Sequence, residues 1–274
     1  MNDKRPSSRI ETLKLIKEGK VRSLYELPDG HLLIVASDRI SAFDVVLPTL
    51  IPGKGAVLTQ ISNYWFKNLT AIPAHHVIET DFDMFPEFLK PYQSELKGRS
   101  TIVRKAQVIP FECVVRGYIS GSLWSAYKKG QAVYGLTLPP GLVESSSFSE
   151  PLFTPTTKAE SGHDMPVTEK EMADAIGREM TQMLKSVSVA IFLEGSRIAS
   201  ERGIILADTK FEFGLTDNSL LLVDECLTPD SSRFWPRAEY VPGRSQPSFD
   251  KQYVRDYLNT LNWDKTYPGP QLPD

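Results

Sequence analysis

The chain has 274 residues, 31 Lys and Arg against 34 Asp and Glu, a net charge of −3, and 41% hydrophobic residues. That length can bury a sizeable core as one large domain or two lobes, and the slightly acidic balance argues against a nucleic-acid partner held by phosphate neutralisation. No apolar run approaches the roughly 18 residues of a membrane span, and Met1-Asn-Asp-Lys-Arg5 is not followed by the apolar stretch of a leader peptide, so a cytosolic protein with no membrane partner is expected.

Lys17-Glu-Gly-Lys-Val-Arg-Ser-Leu-Tyr25, Leu27-Pro-Asp-Gly30 and the apolar run 32–36 predict strand, turn, strand. Gly19 lets the backbone approach a ligand closely, and Lys20 and Arg22 set two cations on one face, where they suit phosphate oxygens. The pattern is neither a Walker A loop nor a Gly-x-Gly-x-x-Gly turn. Ser37-Asp-Arg-Ile-Ser-Ala-Phe-Asp44 ends a strand in a loop, and its Asp-Arg pair equally suits a local salt bridge. Helices are predicted at 58–67, 122–129, 169–202 and 249–262.

Pro110-Phe-Glu-Cys-Val-Val-Arg-Gly-Tyr-Ile-Ser-Gly-Ser-Leu-Trp124 begins as a buried strand and ends in a Gly/Ser turn before a helix. Arg116 offers a bidentate fork for an anion, and Ser120 and Ser122 offer hydroxyls beside the helix start, although a serine there equally caps the helix. Residues 154–164 are polar and turn-forming, the composition of a loop that orders over substrate, with Lys158, Glu160, His163 and Asp164 as its reactive side chains. Thr168 with Glu171 three residues on marks the start of the longest helix, whose apolar positions, among them Met172, Met183, Leu184 and Ile191, read as core.

Asp208-Thr-Lys-Phe-Glu-Phe-Gly214 and Asp224-Glu-Cys-Leu-Thr-Pro-Asp-Ser-Ser-Arg233 read as a β-hairpin carrying carboxylates, a lysine and an arginine. Alternation puts Asp208, Lys210 and Glu212 on one face and Thr209, Phe211 and Phe213 on the core face. A three-residue loop at Thr216-Asp-Asn218 would pair Phe213 with Leu221, Glu212 with Leu222 and Lys210 with Asp224. Asp224 would then lie diagonally about 7 to 8 Å from Glu212, within reach of one hard cation such as Mg2+. A two-residue loop would put Asp224 on the opposite face. One acidic pair alone reads as ordinary solvent-facing charge. Cys113 and Cys226 read as reduced buried thiols, and two cysteines with four scattered histidines give no zinc spacing. The organisation expected is α+β, with a β-rich N-terminal lobe over 1–107, a mixed lobe over 108–274, and ATP in the cleft between them.

Seven strings in order resemble the SAICAR synthetase (phosphoribosylaminoimidazole-succinocarboxamide synthase) family: 19–25, 37–44, Glu112-Cys-Val-Val-Arg116, Ser120-Gly-Ser122, 154–164, 208–214 and Pro229-Asp-Ser-Ser-Arg233. The insert between Thr137 and Val167 and the tail 263–273 resemble its longer, yeast-like branch. The resemblance implies a two-lobed fold and ligation of L-aspartate to a carboxyaminoimidazole ribonucleotide with ATP, through an acyl phosphate, in a monomer or small homo-oligomer. It implies Mg2+ on Glu212 and Asp224, ATP phosphates under Lys20 and Arg22, and adenine on the backbone of Ala106, Gln107 and Val108. Lys210, Asp208 and Arg116 take catalytic roles by the same resemblance. Asp38, Arg39, Ser41, Asp44, Arg116, Ser120, Ser122, Lys158, His163, Asp230, Ser231 and Arg233 bind substrate, with Arg233 on the ribose phosphate. The alternatives are a small-molecule kinase acting on a hydroxyl, which would need no aspartate, and a nucleotide-binding regulator without turnover.

Overall fold

The computed structural model describes residues 10–158, 164–217 and 219–273, and antiparallel sheets beside helices make it α+β. The chain divides into two compact units. The first holds β1 (Lys14–Glu18), β2 (Arg22–Glu26), β3 (Leu32–Ala36), β4 (Arg39–Ala42), β5 (Val45–Leu50), α1 (Lys54–Asn68, to Phe66), β6 (Val77–Glu79), α2 (Gln93–Leu96) and β7 (Ser100–Val103). Its sheet runs β1-β2-β3-β7-β6, with β4 and β5 as a separate hairpin. Alternation in β2 and β3 buries Tyr25, Leu33 and Val35 against Phe82, Phe85, Leu89, Leu96 and Ile102.

The second unit carries β8 (Gln107–Tyr118), α3 (Gly121–Lys128), β9 (Ser147–Phe153), β10 (Thr156–Thr157), α4 (Glu169–Ile176), α5 (Arg178–Ser200), β11 (Ile204–Thr216), β12 (Ser219–Val223) and β13 (Ser232–Pro236). Its sheet follows β10-β8-β11-β12, with β9 added to β8 and β13 to β11. The long central strands β8 and β11 bury Cys113, Val115, Phe211 and Phe213 on one face.

The division departs from a single cut after residue 107 in two places. Residues 67–75 group with the second unit, where Glu194 of α5 accepts the backbone N–H groups of Thr70 (3.2 Å) and Ala71 (2.8 Å). Residues 254–273 group with the first, because Leu258 of the last helix, α6 (Gln252–Thr260), packs with Ile40, Ala42 and Leu47. Trp263 then meets Phe43 edge-on at 6.3 Å, and Tyr267 Oη accepts the Val46 N–H at 3.0 Å. So short a tail cannot form a core of its own, and its apolar side chains, among them Val254, Leu258, Leu261 and Trp263, pack on the apolar surface of its own unit.

The single helix expected over 169–202 is two. Gly177 stands between α4 and α5 at φ 87, a conformation side chains resist, and it ends the first helix. The start is as expected: Thr168 and Glu171 form a reciprocal capping box. Met172, Leu184 and Ile191 are buried, whereas Met183 is 49% exposed; the inward stripe of α5 instead runs through Thr181, Leu184, Ser188, Ile191, Gly195 and Ala199. Cys113 and Cys226 are buried thiols in no disulfide, and burial pushes the Cys113 thiol up to about 12.

Candidate active site

In the first unit the Lys20 loop is braced from the segment 37–44. Ser37 Oγ donates to the Val21 carbonyl (2.8 Å), and Arg39 donates to Glu18 Oε1 and to the Gly19 carbonyl, both at 3.1 Å. A Cβ on Gly19 would sit 3.1 Å from the Arg22 carbonyl, so the tight turn uses its glycine. Lys20 pairs with Asp44, which sits at φ 64 in the β4–β5 turn. Asp38 faces structure: its carboxylate accepts the N–H groups of Gly53 (3.2 Å) and Gly55 (3.0 Å) at the start of α1 and pairs with Arg99 at 3.1 Å. Burial raises its carboxyl, and those donors lower it by more. Ser41 is buried within β4, opposite Val46.

In the second unit the expected face of β11 is present. Asp208 pairs across to Arg116 and Glu212 to Glu112, so β8 presents Arg116, Val114 and Glu112 beside Asp208, Lys210 and Glu212. Asp208 is buried and takes two cations and a hydroxyl. Arg233 Nη1 donates to both its oxygens (3.0 and 2.7 Å), Ser120 Oγ donates at 2.9 Å, and Arg116 Nη1 reaches it at 3.5 Å. Burial raises this carboxyl, and Arg233, Arg116 and Ser120 more than reverse that, holding it below the usual carboxylate range. Arg116 also donates through Nε to Thr154 Oγ1 at 2.9 Å. Ser120 begins α3, yet its hydroxyl serves Asp208 rather than capping the helix. Gly121 at φ 55 admits the Arg233 guanidinium, which a Cβ there would meet at 2.5 Å. Ser122 lies exposed in the first turn of α3.

Along the same face, Lys210 Nζ pairs with Glu112 Oε1 at 2.5 Å, and Thr156 Oγ1 donates to Glu112 Oε2 at 3.4 Å. Glu212 pairs with Lys158. Burial lowers the Lys210 ammonium, but Glu112, Glu212 and Glu225 around it raise it above the ordinary lysine value, so it carries its charge through the neutral range. Gln107 and Val108 pair with Leu215 and Gly214 of β11, and Ala106 precedes them in the first unit. His163 and Glu160 lie outside the described residues.

The hairpin register corrects the expected one. Glu212 pairs with Val223, Phe213 with Leu222 and Thr216 with Ser219, which leaves a two-residue loop in place of three. The expected pairings of Phe213 with Leu221, Glu212 with Leu222 and Lys210 with Asp224 are therefore absent. Asp224 follows the last residue of β12 at φ 65. That left-handed residue takes its side chain out of the strand alternation, so the diagonal argument does not apply to it. The physical reason is turn geometry: a two-residue connection follows the right-handed twist of the strands.

After Asp224 the chain turns again at Leu227, φ 46, whose side chain fits against Gly195 of α5; a Cβ there would meet Leu227 Cδ1 at 2.4 Å. This seats the loop 225–231. Thr228 Oγ1 donates to Glu225 Oε2 at 2.6 Å, the Ser231 N–H donates to the Thr228 carbonyl (3.1 Å), and Asp230 pairs with Lys251 at 3.2 Å with both side chains largely buried. Glu112, Thr154, Glu225 and Lys251 are site-face or site-loop residues that the sequence reading left unassigned. Only Glu112 carried a signal, since it lies four residues before Arg116 in the same strand and so shares its face.

The groups on this face that can ligate a metal are the carboxylate oxygens of Asp208, Glu112 and Glu212, since its nitrogens belong to charged lysines and arginines, and oxygen ligands suit Mg2+. Among the described residues no three or more acidic, His or Cys side chains assemble a cage, but Mg2+ commonly takes one or two carboxylates and completes its shell with phosphate oxygens and water. The donor set therefore fits that ion. Among the described residues no helix is long and apolar enough to cross a membrane.

The sequence model of the family described as SAICAR synthetase matches residues 15–270. Phosphoribosylaminoimidazole-succinocarboxamide synthase of Geobacter sulfurreducens is 53% identical over 263 residues, covering 96% of this chain and 88% of that protein. Its namesake in Desulfosudis oleivorans is 55% identical over 262 residues, covering 95% and 89%. Among solved structures, SAICAR synthase from Saccharomyces cerevisiae complexed with SAICAR superposes with a TM-score of 0.85 at 43% identity, covering 95% of this chain and 88% of that one. A SAICAR synthetase in complex with ADP superposes with a TM-score of 0.68 at 26% identity, covering 87% and 89%.

Proposed function

The chain belongs to the SAICAR synthetase family, and from that premise we propose how its own residues divide the work of the ligation. The reaction joins L-aspartate to the carboxylate of 5-amino-1-(5-phospho-D-ribosyl)imidazole-4-carboxylate at the expense of ATP, within purine biosynthesis. A carboxylate is a poor electrophile, so the route is activation followed by displacement. A carboxylate oxygen attacks the γ-phosphorus, the bond to ADP breaks, and an acyl phosphate forms. The aspartate amine then attacks the acyl carbon, the carbon–oxygen bond breaks, phosphate departs, and the amine gives up a proton.

One observation carries the assignment of roles: Asp208, Lys210 and Glu212 form a single row on β11, with Arg116 and Arg233 at one end and Lys158 at the other. Arg116 and Arg233, both held by Asp208, bind the imidazole nucleotide, with Arg233 on its phosphate as a guanidinium suits. Lys210, fixed by Glu112, neutralises charge on the phosphoryl group as it transfers. Glu212 and Asp224 would hold Mg2+, which would supply charge neutralisation for the transferring phosphoryl group. Lys20 and Arg22 cover the phosphates of ATP, and the backbone of 106–108 takes the adenine. Positioning and charge neutralisation, rather than a protein nucleophile, supply the catalysis.

The test uses substrate with 18O in its carboxylate, following ADP, inorganic phosphate and the ultraviolet change of the imidazole with and without L-aspartate. The acyl phosphate route predicts aspartate-dependent turnover and one 18O in the released phosphate. Phosphate without label would exclude that route. ADP release indifferent to aspartate would mark a kinase instead.

A further inference from the structure

Arg116 is braced from a side that neither its strand nor its neighbour provides. Tyr134 comes from the segment between α3 and β9, and Arg116 Nη2 reaches its Oη at 3.5 Å while the guanidinium carbon lies 5.9 Å from the ring centroid. Both side chains are buried. Thr154 on Nε, Asp208 on Nη1 and the ring beside Nη2 hold the guanidinium from three sides.

The backbone at Tyr134 is a poor place for a tyrosine. Tyr134 (φ 59) and Gly135 (φ 67) are the central residues of a turn closed by the Leu136 N–H on the Val133 carbonyl at 3.2 Å. Left-handed values at both central positions favour Gly, Asn or Asp, and a ring-bearing residue there is uncommon. Gly135 packs its backbone against the Thr168 cap of α4, where a Cβ would come 3.1 Å from Thr168 Cγ2, so the turn cannot slide to relieve its neighbour. The rest of the segment packs the half-buried Leu136, Leu138 and Leu142 against Ile119, Leu123 and Tyr134, which seats the ring beside the guanidinium.

We propose that Tyr134 is a positioning residue that holds the Arg116 guanidinium in register for the imidazole nucleotide, acting mainly through its ring. The hydroxyl contact is at the outer limit of a hydrogen bond, whereas a desolvated cation over an aromatic face is the stronger interaction. The inference rests on the reading that Arg116 binds the nucleotide.

KM for the imidazole carboxylate ribonucleotide, kcat and the thermal midpoint are measured for Tyr134→Leu, Tyr134→Phe, Arg116→Lys and the Tyr134→Leu/Arg116→Lys pair. Tyr134→Met replaces Tyr134→Leu if the latter does not fold. Loss of the ring is expected to raise KM roughly tenfold with kcat little changed, whereas Phe keeps a near wild-type KM. In the Arg116→Lys background the same loss of the ring should add little, because the fork it positions is gone. A wild-type KM in the ring-less variant, a fall in kcat or midpoint without a change in KM, or an equal effect in both backgrounds would overturn the inference. If Arg116→Lys raises KM and the ring-less variant does not, only Tyr134's role fails. If Arg116→Lys itself leaves KM unchanged, the reading of Arg116 fails and this inference with it.

Discussion

Glu112 Oε1 and Lys210 Nζ lie 2.5 Å apart across adjacent strands, on a diagonal two residues out of register, so the central cation of the ligand face is set by a carboxylate from the neighbouring strand. Glu112 is buried and its partner half-buried. A pair in that setting owes its worth to being complete, since removing one member strands the other.

Glu112→Gln keeps the shape and removes the charge. It is expected to lower kcat by about a hundredfold, and Lys210→Met by at least as much, because charge stabilisation aimed at a transferring group is lost in both. Steady-state kinetics with saturating L-aspartate checks this. Wild-type kcat in Glu112→Gln would assign the pair to folding alone.

Asp208 links stability to pH. Its folded pKa lies below its unfolded value, so its contribution is fully present above the unfolded carboxylate pKa of about 3.9 and is lost as pH falls through the folded value. Asp208→Asn leaves the buried Arg116 and the half-buried Arg233 without this counter-charge, at a cost of roughly 3–5 kcal/mol at neutral pH. The gap in thermal midpoint between wild type and variant should therefore narrow as pH drops below about 4. Melts from pH 7 to 3 test it, and a gap that stays constant would refute the linkage.

Asp38 holds two backbone N–H groups at the head of α1 and the side chain of Arg99. Asp38→Ala should cost about 1–2 kcal/mol from the lost cap, with a further loss from the stranded arginine. The thermal midpoint should fall while KM for ATP and for the imidazole nucleotide stays essentially unchanged. A raised KM at an unchanged midpoint would return Asp38 to the substrates.

Gly195 sets how closely α5 approaches the loop carrying Thr228, Asp230 and Ser231. A methyl there would meet the fully buried Leu227 side chain. Gly195→Ala is expected to destabilise by roughly 1–3 kcal/mol through overpacking and to raise KM for the nucleotide by displacing the loop. Gly195→Ala with Leu227→Ala should recover part of both losses, and no recovery in the pair would show that the contact is not the cause.

The α+β class, the shared face of Asp208, Lys210 and Glu212, the buried face of Phe211 and Phe213, and the Thr168–Glu171 cap could all be read from sequence, because each depends on neighbours a few residues apart and on the fixed periods of strand and helix. The hairpin register could not, since a two- or three-residue connection is decided by strand twist, and one residue moves every pairing that follows. Neither could the partners of that face. Glu112 meets Lys210, Tyr134 meets Arg116 and Lys251 meets Asp230 across separations of 98, 18 and 21 residues, and the tail from Val254 joins a core whose other members lie before residue 52. Alternation tells which way a side chain faces along its own strand; what stands opposite is decided only when buried charge and apolar surface must be matched in three dimensions.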